Sequence, residues 1–278
     1  MVTRLTGALV RSTLVLVLVA IPSVLLPDVG PDSRQMSTLL AVLAGALTFV
    51  EYNARTPGLI EFRDAPPFNR LRFLMLFCTV LGLTLILRGA STPSVSTGLV
   101  EALGGLIGRS MDFPYSPVQL VTMVLGEGGP HEQLSQLRAA AGIAYLTSLI
   151  WLCIFVMALR LAGWPGRGQA FNVWVNLPTF DPTTGGDVIA RLNRDARVNI
   201  VLGFLLPFLI PAVYRLVLGG FGPMPALSPQ ILIWMVTAWA FLPASLFMRG
   251  IAMGRIADLI LEKRRAKGER PVRAFAPA

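Results

Sequence analysis

The sequence predicts an all-α, polytopic integral membrane protein with about six transmembrane helices, both termini in the cytoplasm and a helical periplasmic loop. Three observations carry this prediction: the composition, the lengths of the apolar runs and the placement of arginine. Of 278 residues, 54% are hydrophobic and 14% are charged, and the mean hydropathy is +0.65. Soluble domains carry about a quarter charged residues. The deficit indicates that a bilayer surrounds most of the chain.

The first three predicted spans are shorter than the last three. Each of the last three is about as long as a helix that crosses roughly 30 Å of hydrocarbon at 1.5 Å per residue. The earlier runs reach that length only with flanking charged side chains such as Arg72 and Arg88, whose stems lie along the helix while their charges reach the interface. The predicted spans cover residues 12–27, 36–51, 72–88, 139–161, 198–218 and 230–249 of a single domain, 1–278.

Lysine and arginine are distributed unevenly between the loops that six spans would place on opposite sides. With the N-terminus inside, 19 of the 24 basic residues lie in inner segments and 5 in outer segments. This is the asymmetry that the positive-inside rule describes. Removing any one early span would reverse every later loop and destroy the asymmetry. The net charge of +9 is therefore explained by the basic residues that orient the spans in the membrane. We expect no nucleic-acid partner.

The outer loop, residues 89–138, is expected to contain two short helices. Ser116 is a predicted N-cap, with Pro117 at the first helical position and Gln119 completing a capping box. Neither helix is long enough to span. We favour helices on the outer surface, and a re-entrant pair within 95–126 is the alternative, since both preserve the parity of the spans.

The inner loops, 51–72 and 160–197, and the tail, 250–278, are expected to be ordered in part. The run "FNVWVNL" (171–177) alternates as a short strand does. Asp187 is placed to cap a helix that continues into the fifth span. The start of the tail continues the sixth span as an amphipathic helix, and its basic end can contact anionic lipid.

Several kinds of chemistry lack the residues they need. His131 is the single histidine, and the two lysines, Lys263 and Lys267, both lie in the tail. A bis-histidine haem, a histidine-rich metal cluster and a Schiff base within a span are therefore excluded, and no phosphate-binding glycine loop is present. The cores of the six spans hold no charged residue, which disfavours proton-coupled transport. We expect no catalytic, cofactor-binding or metal-binding residues.

The two inner loops combine charges of both signs with aromatic residues, a composition typical of protein contacts. An equally acceptable interpretation is that the loops are solvated and pack on one another. Under the first interpretation, the candidate partner contacts are Arg63, Asp64, Phe68, Arg70, Trp174, Arg191, Arg194 and Asp195.

These observations favour a non-enzymatic accessory protein, as a subunit, assembly factor or scaffold of a larger membrane complex. A transporter or channel for a neutral or amphiphilic solute is the alternative. It would use the helix break at Pro207 and Pro211 and a polar mid-membrane cavity near Thr147, Ser148 or Thr237. A third hypothesis, a lipid-modifying enzyme, would need a group of inner carboxylates to act together: Asp64, Asp181, Asp187 and Asp195.

Arginine outnumbers lysine 22 to 2 in a chain rich in alanine, glycine and proline. This bias is typical of GC-rich genomes and favours a bacterial protein. The expected location is therefore a bacterial inner membrane, crossed several times. Other membrane-protein subunits and the lipid bilayer are the expected partners.

The orientation gives the first prediction. A phosphatase that is active only in the periplasm should be inactive when it is fused to the carboxyl end and active when it is inserted after Gly126. A fluorescent protein that folds only in the cytoplasm should give the reciprocal result at the same two positions. Phosphatase activity at the carboxyl end would contradict the predicted orientation.

Overall fold

The computed structural model describes residues 2–27, 29–56, 58–126, 131–164, 172–180, 187–218 and 228–266. Within these ranges the chain forms nine helices and no strand. The helices are α1 (Val2–Leu25), α2 (Pro31–Asn53), α3 (Phe68–Ser91), α4 (Val95–Met111), α5 (Pro117–Leu125), α6 (His131–Leu161), α7 (Val173–Asn176), α8 (Val188–Leu218) and α9 (Pro229–Ala266).

Six of the described helices, α1, α2, α3, α6, α8 and α9, are long and apolar enough to cross a membrane. The prediction of an all-α polytopic membrane protein is confirmed. Since consecutive spans alternate in direction, the start of α1 and the end of α9 lie at one end of the bundle, beside the segments that follow α2 and α6. We call this the arginine-rich end, because most of the arginines lie there.

The centre of the bundle is formed by α3, α6 and α9, which pack on one another, while α8 packs along α9 and α1 packs along α2. Two clusters of buried side chains fill the interior. One, near the arginine-rich end, includes Phe68, Phe155 and Met248. The other, towards the opposite end, includes Val80 and Trp239. Because α3, α6 and α9 each contribute to both clusters, these three helices together form the core of the fold.

Small residues allow α8 and α9 to approach closely. A Cβ atom added to Gly250 would lie 2.7 Å from the carbonyl oxygen of Ala196, and one added to Gly203 would lie 2.8 Å from the carbonyl oxygen of Pro243. Helices in membranes associate through such backbone approaches, since lipid provides no hydrophobic drive between them. Gly250, from the sequence pair "GIAMG", therefore packs within the protein, against α8.

The two prolines of α8 are accommodated by a hydrogen bond from α9. Pro211 has no N–H, so the carbonyl of Pro207, four residues earlier, loses its helical donor. The indole Nε1–H of Trp239 donates to that carbonyl oxygen at 3.0 Å. The segment "LLPFLIP" thus links α8 to α9 by a hydrogen bond, and the carbonyl that lacks its helical donor is satisfied inside the bundle.

The two short helices of the outer loop pack at the end opposite to the arginine-rich end. α4 lies against the last turns of α3 and the first turns of α6, and Gly108 and Gly142 are in direct backbone contact there. The predicted cap of α5 is confirmed, because the Ser116 side chain accepts the Gln119 N–H at 3.0 Å. The capping-box prediction is wrong in one bond: Gln119 Oε1 accepts from the N–H of Tyr115, whose positive φ of 64° turns it towards that side chain.

The strand predicted over 171–177 is wrong. Residues Val173–Asn176 form the short helix α7, and Phe171 lies outside the described residues. Asn172 starts the turn, since its carbonyl accepts the N–H of Asn176 at 3.2 Å. An isolated strand would leave its backbone groups unpaired, and no other strand exists in the described ranges to pair with it.

The predicted cap of α8 and the predicted continuation of the last span are both present. Asp187 Oδ1 accepts the N–H of Ile189 at 3.4 Å, one residue into α8. α9 runs to Ala266 with Ile256 and Leu259 buried on its inner face. The rest of the tail, 267–278, lies outside the described residues.

The close approach of α8 and α9 gives a second prediction. Gly250→Ala should lower the midpoint of thermal unfolding in detergent, since overpacking of this kind costs about 1–3 kcal/mol. Gly98→Ala is the control, because nothing lies within 4 Å of a Cβ at that helical position. The control should be neutral or slightly stabilising through helix propensity. Equal unfolding midpoints for the two variants would contradict this account of the packing.

Candidate functional site

The segment between α2 and α3 is held in place by one buried arginine. Arg63 Nη1 donates to the carbonyl oxygens of Glu51, at 2.9 Å, and Ala54, at 2.7 Å. Its Nε and Nη2 contact the Asp64 carboxylate at 3.2 and 3.3 Å. Carbonyls at the end of a helix have no intrahelical donor. Arg63 therefore caps α2, and its side chain is only 2% exposed.

Glu51, in the last turn of α2, organises the same segment from the other side. Its carboxylate accepts the backbone N–H groups of Gly58, Leu59 and Ile60 at 3.0, 2.9 and 3.1 Å. These bonds fold the chain back towards the bundle directly after the helix ends. The segment is consequently a fixed surface on which other groups can be positioned.

Glu61 joins three parts of the chain at the arginine-rich end. Its carboxylate accepts from Arg249 Nε at 2.6 Å and Nη2 at 2.8 Å, and from Thr179 Oγ1 at 2.6 Å. Burial acts to raise the pKa of Glu61, but the bonds from Arg249 and Thr179 and the charges of Arg249 and Arg72 lower it further, so that the pKa lies below its ordinary value. Glu61 therefore holds α9 through an ionised, charge-assisted pair.

The two inner loops pack directly on one another. The N–H of Phe62 donates to the carbonyl oxygen of Asn176 at 2.7 Å, and the N–H of Asp64 donates to Asn176 Oδ1 at 3.1 Å. The centre of the Phe62 ring lies 4.2 Å from the centre of the Phe68 ring and 6.1 Å from that of the Trp164 ring. Many of the polar and aromatic groups of these two loops therefore contact other groups of the same protein.

The eight candidate partner contacts fall into three groups. Phe68 and Arg63 are buried, so neither offers a side chain to a partner, because one is a core ring and the other a helix cap. Asp64 and Arg70 are exposed, and the Arg194 side chain, paired with Asp195 at 3.4 Å, is 72% exposed.

The remaining two candidates are Arg191 and Trp174. The guanidinium of Arg191 lies over the Phe180 ring at 4.9 Å. Trp174 lies in α7, and its side chain is outside the described part of the structure.

A cavity of about 1080 Å³ lies between α1, α2, α3, α8 and α9, closed at the arginine-rich end by the segment after α2. Polar side chains gather at that end of the cavity: Arg11, Tyr52, Glu61, Arg70, Arg72 and Arg249. The walls that run towards the middle of the bundle are apolar and include Leu14, Val17, Phe73, Phe77, Leu206 and Leu242. The cavity is thus amphipathic along its length.

The length of the cavity follows from the lining residues of two helices that run beside it, α1 and α9. The polar and apolar lining residues are six or seven residues apart on α1 (Arg11 to Val17) and on α9 (Arg249 to Leu242). At 1.5 Å per residue, each gives roughly 10 Å between the polar end and the inner wall. Leu14, Val17 and Leu242 are 46%, 47% and 51% exposed, so the cavity opens sideways to the surroundings of the bundle.

Arg72 occupies an unusual position in this wall. Its Nε is buried and has no hydrogen-bond partner among the described residues. The Cζ of its guanidinium lies 5.3 Å from the centre of the Phe68 ring and 5.8 Å from that of Phe241. From the sequence, the charge of Arg72 is predicted to reach the membrane interface at a helix end. Instead, aromatic rings hold it inside the cavity wall.

Thr147, Ser148 and Thr237, near which a mid-membrane cavity is predicted from the sequence, do not line the cavity described above. Ser148 and Thr237 are buried among packed helices, and Ser148 Oγ donates to the carbonyl of Tyr145 at 2.7 Å. At that depth α3, α6 and α9 pack on one another, whereas α1 and α8 make no close contact among the described residues.

The inner aspartates form separate pairs in the described part of the chain. Asp187 pairs with Arg264 at 2.8 Å, while Asp64 and Asp195 pair with Arg63 and Arg194 as described above. Asp181 lies outside the described residues. No three His, Cys, Asp or Glu side chains come together within the described ranges as metal ligands would.

Comparisons with known protein families, with curated proteins and with solved structures find no match to this chain.

The Glu61–Arg249 pair gives a third prediction. In the folded protein the pKa of Glu61 lies below the usual glutamate value of about 4.3. The contribution of Glu61 to stability is therefore complete above the usual value and is lost as the pH falls through the pKa of the folded state. Glu61→Gln should cost about 2 kcal/mol at pH 7 and weaken the loss of stability in acid. Thermal unfolding in detergent between pH 7 and pH 3.5 measures both effects.

Glu132→Gln, at an exposed residue at the start of α6, is the control for this experiment. It should leave the unfolding midpoint and its pH profile close to those of the parent protein. Identical profiles for Glu61→Gln and the parent would contradict the role assigned to the pair.

Proposed function

We propose that the protein binds an amphiphilic molecule of the membrane in the lateral cavity and carries or presents it without chemical change. The observation that supports this proposal is the amphipathic lining: charged groups at one end and apolar walls over roughly 10 Å below them. A water-soluble ligand would gain nothing from the apolar walls, and a pure hydrocarbon would leave the polar end without partners.

The dimensions and position of the cavity also support an amphiphile. Small-molecule sites commonly enclose about 300–1,000 Å³ and are mostly apolar with a few polar groups that fix orientation. The volume of about 1080 Å³ lies slightly above this range. Because Leu14, Val17 and Leu242 are about half exposed on the outer surface of the bundle, an occupant could enter from the bilayer without crossing water.

The proposal includes location and orientation. The arginine-rich end is placed at the cytoplasmic face of a bacterial inner membrane, on the basis of the arginine distribution. The polar end of the cavity would then meet the head-group layer of the inner leaflet. Without charged residues in the cores of the spans, transport coupled to protons has no support.

A role as accessory subunit remains the second proposal. It is favoured by exposed charges of both signs at the arginine-rich end, carried by Asp64, Arg70 and Arg194. Such a surface suits contact with a charged partner domain. Gentle detergent extraction followed by native electrophoresis tests it: a species larger than the monomer with a constant partner supports it, and a bare monomer contradicts it.

Filling the cavity gives the fourth prediction. Leu242→Trp should reduce the amount of lipid that remains bound to the purified protein in native mass spectrometry, because the larger side chain occupies the cavity mouth. Leu40→Trp is the matched control, since Leu40 is 55% exposed on α2 and does not line the cavity. A one-to-one lipid adduct in the parent and in Leu40→Trp, lost in Leu242→Trp, is expected. Equal adducts in all three proteins would contradict the proposal.

A further inference from the structure

We propose that the occupant of the cavity carries an anionic, phosphate-bearing head group, and that Arg72 is its principal ligand. This inference rests on the proposed function and specifies the class of lipid. Three observations support it: the charge balance of the polar end, the buried Nε of Arg72, which has no hydrogen-bond partner among the described residues, and the aromatic groups that hold the guanidinium.

The charge balance of the polar end is strongly positive. Four guanidinium groups line it, from Arg11, Arg70, Arg72 and Arg249, against the one carboxylate of Glu61. The balance is therefore +3. Both carboxylate oxygens of Glu61 already accept hydrogen bonds from Arg249, one from Nε and one from Nη2. The remaining positive groups lie at the end of a mostly apolar cavity, where an anion is attracted more strongly than in water.

Arg72 lacks the partner that a buried guanidinium normally has. A guanidinium offers five N–H donors, and buried cations in proteins are generally paired. In the described part of the chain, the buried Nε of Arg72 has no hydrogen-bond partner, and the nearby carboxylate of Glu61, whose charge acts on Arg72, is already held by Arg249. An anion that enters the cavity would supply the missing acceptors.

The surroundings of Arg72 favour a planar, two-pronged contact. The rings of Phe68 and Phe241, with centres 5.3 and 5.8 Å from Cζ, hold the guanidinium by cation–π attraction. These contacts fix the group and leave its buried Nε without an acceptor among the described residues. Two parallel N–H donors match two phosphate oxygens, which is why arginine is favoured for bidentate phosphate recognition.

Arg11 extends the same site from α1. Its Cζ lies 4.7 Å from the centre of the Tyr52 ring, and both residues line the polar end of the cavity. Arg11 and Arg70 are exposed, so they can turn towards a head group without loss of an ion pair in the described residues. The apolar walls of Phe73, Phe77 and Leu242 then lie below the head group, where acyl chains begin.

Lipid binding by the delipidated protein in detergent micelles tests this inference. The probes are dioctanoyl phosphatidylglycerol, dioctanoyl phosphatidylcholine and inorganic phosphate, titrated calorimetrically. The anionic lipid should bind at least about tenfold more tightly than the zwitterionic lipid, which has the same chains and no net charge. Inorganic phosphate should not compete at millimolar concentration, since it cannot use the apolar walls. Tight binding of inorganic phosphate alone would show a free-anion site and overturn the assignment to a lipid.

Variants at Arg72 assign the selectivity to its guanidinium. Arg72→Gln should weaken phosphatidylglycerol binding about tenfold and phosphatidylcholine binding by less, because the choline cation already offsets part of the attraction of that phosphate for the positive end of the cavity; Arg72→Lys should retain part of the preference through its charge. Arg109→Gln, in α4 at the opposite end, is the control and should change neither lipid. If Arg72→Gln does not fold, Arg11→Gln, at an exposed residue, should reduce the same preference.

The outcomes separate this inference from the proposed function. If both lipids bind with equal affinity and the Arg72 and Arg11 variants change nothing, the anionic head-group site is refuted while amphiphile binding stands. If neither lipid binds the parent protein, both proposals fail. If the charge preference is present and survives in Arg72→Gln, Arg72 is not its source and the assignment is overturned.

Discussion

The constraint on which the structure depends is the absence of water from the bilayer core, which obliges every backbone polar group there to find its partner within the protein. Helices satisfy most of these groups, and the exceptions require a side chain. Pro211 releases the Pro207 carbonyl, and the indole N–H of Trp239 satisfies it. At the membrane border, Arg63 satisfies the carbonyls at the end of α2. These bonds connect elements that are distant in sequence and so define how the helices pack.

The same constraint gives the cavity its chemical character. Side chains that reach the arginine-rich end along their helices carry charge, and those a few turns deeper are apolar, so any gap between the helices becomes amphipathic. The gap exists because α1 packs on α2 and α3 but does not reach α8. Glu61 and Arg249 then close its end with a charge-assisted pair. Arg72, held between aromatic rings, remains available for an anion.

Sequence reasoning was successful where the cause is local. The six spans depend on length and apolar composition, and the caps of Ser116 and Asp187 depend on residues within a single turn; the structure contains all of them. The strand predicted over 171–177 failed because alternation does not supply a partner strand. The burial of two candidate partner contacts, Phe68 and Arg63, could not be predicted for a related reason. Burial depends on what packs above a residue, and local composition does not contain that information.

The sequence by itself determined that the chain is an all-helical membrane protein, because hydrophobic length is additive along the chain and needs no knowledge of neighbours. Only the tertiary structure decided which side chains meet. The cavity is lined by residues from α1, α2, α3, α8 and α9, separated by up to 238 positions from Arg11 to Arg249. Their convergence arises from the packing of small residues and from a few long-range hydrogen bonds. Such pairings are properties of the folded arrangement, and no single segment of the sequence encodes them.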